Sequence, residues 1–148
     1  MGWQSSGIKE SRLILVDSSV WIDYFNNVIN WQTDKLDSSI GIEQVIITDH
    51  ILLEVLRGFR NEKDYNAAKY YLDKFPCYDT MDKELAIKCV ENYRYLRKTG
   101  VTVKSTVDLI IATYCIENNI LLLHNDHDYD PIEEHLKLKV LHPSKPQH

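Results

Sequence analysis

The sequence predicts a single α/β domain built on a mostly parallel sheet flanked by helices. Three observations carry that expectation. Short apolar runs, such as Leu-Ile-Leu-Val at residues 13–16 and Ile-Leu-Leu-Leu at 120–123, have the character of strands buried on both faces. Segments with helical periodicity and capping residues stand between such runs. Strand and helix then alternate, which implies right-handed βαβ crossovers and parallel neighbours. The 148 residues suit one domain and are enough to bury a substantial core.

Each element follows from local chemistry. After the run at 13–16, Asp17-Ser18-Ser19 offers side-chain oxygens to start a helix through Val20, Trp21, Ile22, Tyr24 and Phe25, loosened at Asn26-Asn27. A weaker helix is predicted over 33–40, stopped near Gly41. Residues 45–47 read as a second strand, and Thr48 or Asp49 caps a helix that ends near Gly58. Asn61 or Glu62 opens the next helix, which runs to about residue 74 and stops before Pro76. Residues 77–79 are a short third strand. The long amphipathic helix over 82–98 carries Leu85, Ile87, Cys89 or Val90, Tyr93 and Leu96 on its apolar side, with Gly100 past its end. Ser105 or Thr106 caps a helix to about residue 118, and Asn118-Asn119 turns the chain into the strand at 120–123. A short helix over 131–135 and a last strand over 139–141 complete the prediction. The domain is assigned to residues 12–142, between a polar lead-in at 1–11 and a tail at 143–148.

Composition narrows the function classes. Hydrophobic residues make up 44% and charged residues 26%, as in an ordinary globular protein. No apolar run approaches the roughly 20 residues that span a bilayer, and no secretory signal opens the chain, so a cytoplasmic protein is expected. Cys77, Cys89 and Cys115 are odd in number and lack zinc-ligand spacing, so they read as reduced thiols. The net charge of −5 argues against a generally basic nucleic-acid surface. Basic residues are nevertheless grouped, with Arg57, Arg60 and Lys63 in one run and Arg94, Arg97, Lys98 and Lys104 in another. Such runs are solvated helix faces unless they flank a site for phosphate.

Acids in apolar settings supply the candidate site. Asp17 and Asp126 follow buried strands, where an open parallel sheet places its ligands, although helix capping or a turn would account for either alone. Glu54 lies inside Ile51-Leu52-Leu53-Glu54-Val55-Leu56 and Asp108 inside Val107-Asp108-Leu109-Ile110-Ile111-Ala112. A carboxylate is rarely buried without a partner, because desolvating its charge is costly. Carboxylates converging on one pocket need a cation, and all-oxygen ligation selects Mg²⁺ or Mn²⁺ over zinc. Metal-assisted phosphodiester hydrolysis by an activated water is the matching reaction class. A zinc site from His124, His127 and His135 is disfavoured by spacing and by the Asp-rich context. No Gly-rich turn follows Asp17, which excludes a dinucleotide fold.

Four segments resemble the PIN-domain family, and within it the VapC toxins of bacterial and archaeal toxin–antitoxin pairs. They are Leu15-Val16-Asp17-Ser18-Ser19-Val20-Trp21-Ile22, Ile51-Leu52-Leu53-Glu54-Val55-Leu56-Arg57-Gly58, Thr106-Val107-Asp108-Leu109-Ile110-Ile111-Ala112 and Leu121-Leu122-Leu123-His124-Asn125-Asp126-His127-Asp128-Tyr129. The resemblance implies a sheet of about four to five strands with the acids at its carboxyl edge. It implies RNA cleavage needing Mg²⁺ or Mn²⁺, inhibition by a cognate VapB-like antitoxin, and frequent homodimers. Carried over by position, Asp17, Glu54, Asp108 and Asp126 are the catalytic, metal-holding acids, with Asp128 competing for the fourth place. Ser18, Ser19 and Thr106 are candidates for supporting hydrogen bonds, with capping of their helices an equal alternative, and His124 departs from the small polar residue common at its position. Arg57, Arg60 and Arg97 are candidate RNA contacts, and Tyr65, Tyr70, Tyr71, Tyr93 and Tyr95 are candidates for stacking on unpaired bases, with helix packing the favoured role for most of them. Trp21, Tyr24, Phe25 and Trp31, with residues 52–59, are candidates for an antitoxin groove, with core packing the favoured role for Trp21. A PIN nuclease of RNA processing without an antitoxin, and a catalytically silent interaction module, are the alternatives.

Overall fold

A computed structural model describes residues 12–144; the predicted lead-in at 1–11 and residues 145–148 of the predicted tail lie outside them. The chain runs β1 (Leu13–Val16), α1 (Ser18–Phe25), α2 (Trp31–Ser39), β2 (Gln44–Thr48), α3 (Asp49–Leu56), α4 (Glu62–Leu72), β3 (Cys77–Tyr78), α5 (Lys83–Lys98), α6 (Thr106–Asn118), β4 (Leu121–Leu123) and α7 (Asp130–His135). A short 3₁₀ turn over His127–Tyr129 precedes α7. The four strands form one sheet in the order β3-β2-β1-β4, and every pair is parallel. All carboxyl ends therefore lie at one edge, and the chain leaves β1 and β4 side by side.

Burial explains the central position of β1. Ile14, Leu15 and Val16 are fully buried, flanked in register by Val45 and Ile46 on one side and Leu122 and Leu123 on the other. Trp21 is also fully buried, as core packing requires, with Phe75 and Phe25 at ring-centroid distances of 5.3 and 5.9 Å. Helix α6 is buried on several sides, from Leu109 through Thr113 to Cys115, because it lies against the sheet and under α5.

Four expectations are corrected. Helix α2 starts at Trp31, two residues before the predicted start, because Asn30 and Thr33 form a reciprocal capping box. Helix α4 ends at Leu72, short of residue 74, and leads to Pro76 through turn hydrogen bonds. On α5 the inward residues are Leu85, Cys89 and Leu96, whereas Ile87, Val90 and Tyr93 face solvent. The missing member of that inward face is polar: Asn92 donates to Thr113 Oγ1 of α6 at 3.1 Å. A search for apolar periodicity cannot find it. Residues 139–141 form only an isolated parallel bridge, Val140 to Leu122, and add no fifth strand.

Candidate active site

Asp17 is held by more hydrogen bonds than any other candidate acid. It caps α1, where its Oδ2 accepts from the Ser19 amide at 3.1 Å and from Ser19 Oγ at 2.7 Å. Its Oδ1 accepts from the Tyr129 hydroxyl at 2.8 Å. A carboxylate oxygen offers two lone pairs, so Oδ2 is filled and Oδ1 retains one free position. The β4 loop closes over the same residue. Asp17 N donates to Leu123 O, and the Asn125 amide donates to Ser19 Oγ at 3.0 Å. Capping and a place in the site are thus compatible, since the cap uses one oxygen and leaves the other pointing elsewhere.

Asp126 repeats the arrangement at the end of β4. Its Oδ1 accepts from the Asp128 amide at 2.9 Å and caps the 3₁₀ turn. Its own amide donates to Nδ1 of the buried His124 at 3.1 Å. That bond places the imidazole proton on Nε2, which meets no partner among the described residues. Burial lowers the His124 pKa, so the ring is neutral. The His124 ring lies 4.7 Å from the Tyr129 ring, joining the supports of Asp126 and Asp17.

Asp108 supplies the electrostatic stress. It stands in the first turn of α6, its amide bonded to the Ser105 cap, and the residue is only 8% exposed. Burial comes first, followed by the charges of Asp17, Asp126, Glu54 and Asp128, and together they push its pKa up to about 7. One carboxylate oxygen from each of Asp108, Asp126 and Asp128 lies within 4.8 Å of the others. Glu54 stands at the side, its Oε1 accepting from Ser18 Oγ at 3.2 Å. Burial, then Asp17, raises the Glu54 pKa. Thr106 begins α6, but Ser105 makes its cap bond, so the hydroxyl that serves Asp108 is one residue earlier than the expected supporting residue.

The donor set is all oxygen and mutually repulsive, so it fits a hard divalent cation. Asp108, Asp126 and Asp128 form the tight group, and Asp17 and Glu54 lie outside it while still raising Asp108. The histidines do not converge: His127 is fully exposed and pairs with Asp130, while His124 is buried. Of the basic groups, Arg57 acts on Glu54 and Lys104 Nζ lies 4.0 Å from Asp128.

The PIN domain, as a family, matches residues 14–134. This chain is a PIN-domain protein. The PIN chain is 25% identical over 122 residues to VapC ribonuclease Mb1587 of Mycobacterium bovis, covering 81% of this chain and 91% of that one. It is 29% identical over 126 residues to ribonuclease VapC1 of Methanocaldococcus jannaschii, covering 85% of each. Among solved structures, the VapBC2 complex of Rickettsia felis bound to a promoter DNA fragment gives a TM-score of 0.71 at 16% identity, over 87% of this chain and 97% of that chain. Mycobacterium tuberculosis VapC20, described as cleaving the sarcin–ricin loop, gives 0.59 at 16% identity, over 80% and 94%. At such identities the structures show a shared PIN fold.

Tyr129 is the residue that sequence reasoning undervalued. Its aromatic character was visible in the loop motif, but its hydroxyl bond to Asp17 joins residues 112 apart in the chain. Tyr129→Phe deletes that hydroxyl and leaves the ring. It is expected to destabilise the metal-free protein by about 1.5–3 kcal/mol, the range for a hydrogen bond to a charged group. Urea denaturation in EDTA measures this, and an unchanged midpoint would show that the hydroxyl contributes nothing.

Proposed function

We propose that this PIN-domain protein is a divalent-metal-dependent endoribonuclease and the toxin of a type II pair with a VapB-like antitoxin. The carrying observation is the convergence of carboxylates at the carboxyl edge, where Asp108 is pushed up to about 7 by burial and by its acidic neighbours. Asp17, Glu54, Asp108 and Asp126 are assigned the metal-holding role, with Mg²⁺ or Mn²⁺ as the ion. Asp128 belongs to the same assignment, because it shares the tight group with Asp108 and Asp126. A cation there supplies charge neutralisation and Lewis acidity toward a phosphodiester. The protein's own residues set the geometry. Tyr129 and Ser19 hold Asp17, His124 holds the Asp126 backbone, and Ser18 orients Glu54. Arg57, Arg60 and Arg97 are assigned to the RNA backbone.

The antitoxin assignment rests on the kinship with VapC proteins and on exposed apolar side chains of the α1–α3–α4 region. Leu53 on α3 is 63% exposed and Tyr70 on α4 is 72% exposed, and the rings of Tyr24, Phe25, Phe59 and Tyr71 pack on one another in the same region of the chain. An amphipathic helix suits such a surface. Trp21 lies beneath it, in the core. A homodimer and a cytoplasmic location belong to the same reading; no helix among the described residues is long and apolar enough to cross a membrane.

The test is cleavage of a structured RNA by purified protein. Cleavage is expected with Mg²⁺ or Mn²⁺ and none with EDTA, with the new ends mapped by sequencing. Equal cleavage in EDTA would overturn the metal assignment. Cleavage that persists after addition of the protein encoded by an adjacent small gene would overturn the antitoxin assignment.

A further inference from the structure

We propose that the cleft at the carboxyl end of α5 is a subsite for an unpaired nucleobase of the substrate strand, an inference that rests on the ribonuclease reading above. The cleft is about 420 Å³, within the usual range for ligand sites, and is lined by Tyr93, Arg97, Gly100, Val101, Thr102 and Val103. Its chemistry is that of a stacking platform. The Arg97 guanidinium carbon lies 5.8 Å from the centre of the Tyr93 ring, and Arg97 Nη1 donates to the Tyr93 hydroxyl at 3.1 Å. The pair is therefore pre-organised: Tyr93 holds the guanidinium over its ring, and the planar cation is the surface left to meet a base.

Two further features suit a base and its phosphate. Half-buried Val101 and Val103 pack against the main core and anchor the backbone that lines the cleft, whose exposed surface is mostly polar. Arg94, Arg97 and Lys98 form no ion pair among the described residues, so their charges are free for phosphate although the chain as a whole carries −5. The wall is held in shape by the turn that ends α5. Gly100 adopts φ +88°, the Gly100 amide donates to Arg97 O, and the Val101 amide donates to Leu96 O at 2.9 Å. A Cβ at Gly100 would meet no atom within 4 Å, so the positive φ, and not crowding, is what favours glycine at this turn.

The cleft adjoins the acidic site along the chain. Lys104, next after Val103, reaches Asp128 at 4.0 Å, and Ser105 caps the helix that carries Asp108. The Val103 and Ser105 Cα atoms are at most about 7.6 Å apart, two steps of 3.8 Å. A base seated here belongs to a nucleotide close to the cleaved bond. The residues of the cleft then contribute to which nucleotides are accepted there.

The experiment is a titration of isotopically labelled protein in EDTA with each of the four nucleoside 5′-monophosphates and, separately, inorganic phosphate. Amide chemical shifts are followed. At least one nucleotide is expected to give saturable shifts at Gly100 to Val103. Tyr93→Ala and Arg97→Ala should each weaken that binding by about tenfold, as loss of one stacking contact does. Both side chains are exposed, so both variants keep the fold. Absence of shifts at these amides with every nucleotide would overturn the subsite. Identical shifts with phosphate alone would also overturn it, by reducing it to an anion site. Nucleotide-specific shifts in a protein that cleaves no RNA would support the subsite and sink the ribonuclease reading, so the two failures are distinguishable.

Discussion

Replacing Asp108 with Asn is expected to abolish RNA cleavage while making the metal-free protein more stable at neutral pH. The two effects share one cause. Asp108 is nearly buried, and its charge is opposed by burial and by Asp17, Asp126, Glu54 and Asp128. Asn keeps the volume and removes the charge, so repulsion in the folded state falls by an amount of order 1–3 kcal/mol above pH 7. The same change removes a ligand charge from the proposed cation site. Loss of several kcal/mol of transition-state stabilisation corresponds to about a thousandfold or more in rate. Cleavage assays and thermal melts in EDTA measure the two effects on one sample. Retained cleavage would sink the metal-site assignment, and a lower melting temperature would mean that Asp108 is a structural acid whose charge the fold needs.

The second large effect is a pH-dependent response to divalent ions. The folded-state pKa of Asp108 is about 7 against an ordinary value of 3.8, and that of Glu54 is shifted in the same direction. An acid with a raised folded pKa favours folding fully below its unfolded value, and this contribution is lost as pH rises through the folded value. Metal-free protein should therefore lose stability between about pH 4 and about pH 7. At Asp49 burial is outweighed by hydrogen bonds from Thr80 and the His50 amide, and at Glu43 Lys35 dominates, so both are shifted downward and act in the opposite sense at lower pH. Bound Mg²⁺ or Mn²⁺ requires deprotonated carboxylates, so added metal should stabilise more at about pH 8 than at about pH 5. At a concentration one hundred times the dissociation constant the gain is about 2.7 kcal/mol. Melting curves with metal and with EDTA test this, and an equal response at both pH values would remove the raised carboxylates from the binding site.

Much of the fold was legible because its signals are local. Leu13–Val16 is an unbroken apolar run, and it is the buried central strand. Asp17, Asn61, Asp82 and Ser105 precede their helices and accept the capping bonds that such residues make. The bounds of α2 and α4 shift through local caps and turns, whereas the larger differences fall where a long-range partner decides. The inward face of α5 includes Asn92, which is satisfied because Thr113 comes from α6, while Tyr93 and Ile87 are left in solvent. The 139–141 segment has strand-like residues but meets Leu122 in a single bridge.

The sequence by itself determined the alternation of strands and helices, and with it a parallel sheet whose carboxyl edge receives Asp17 and the 124–129 loop. It also marked Glu54 and Asp108 as anomalous, since a carboxylate in an apolar helix carries a desolvation cost that needs a reason. What only the tertiary structure decided is how these acids differ from one another. Asp17 is saturated on one oxygen and tethered on the other by Tyr129, Asp108 is buried facing other carboxylates that add to its raised pKa, and Asp126 and Asp128 meet it in one group. The physical reason is range. Capping and burial patterns act within a few residues, whereas hydrogen bonds and charges between residues one hundred positions apart depend on the packing that brings β1, α6 and the loop after β4 together.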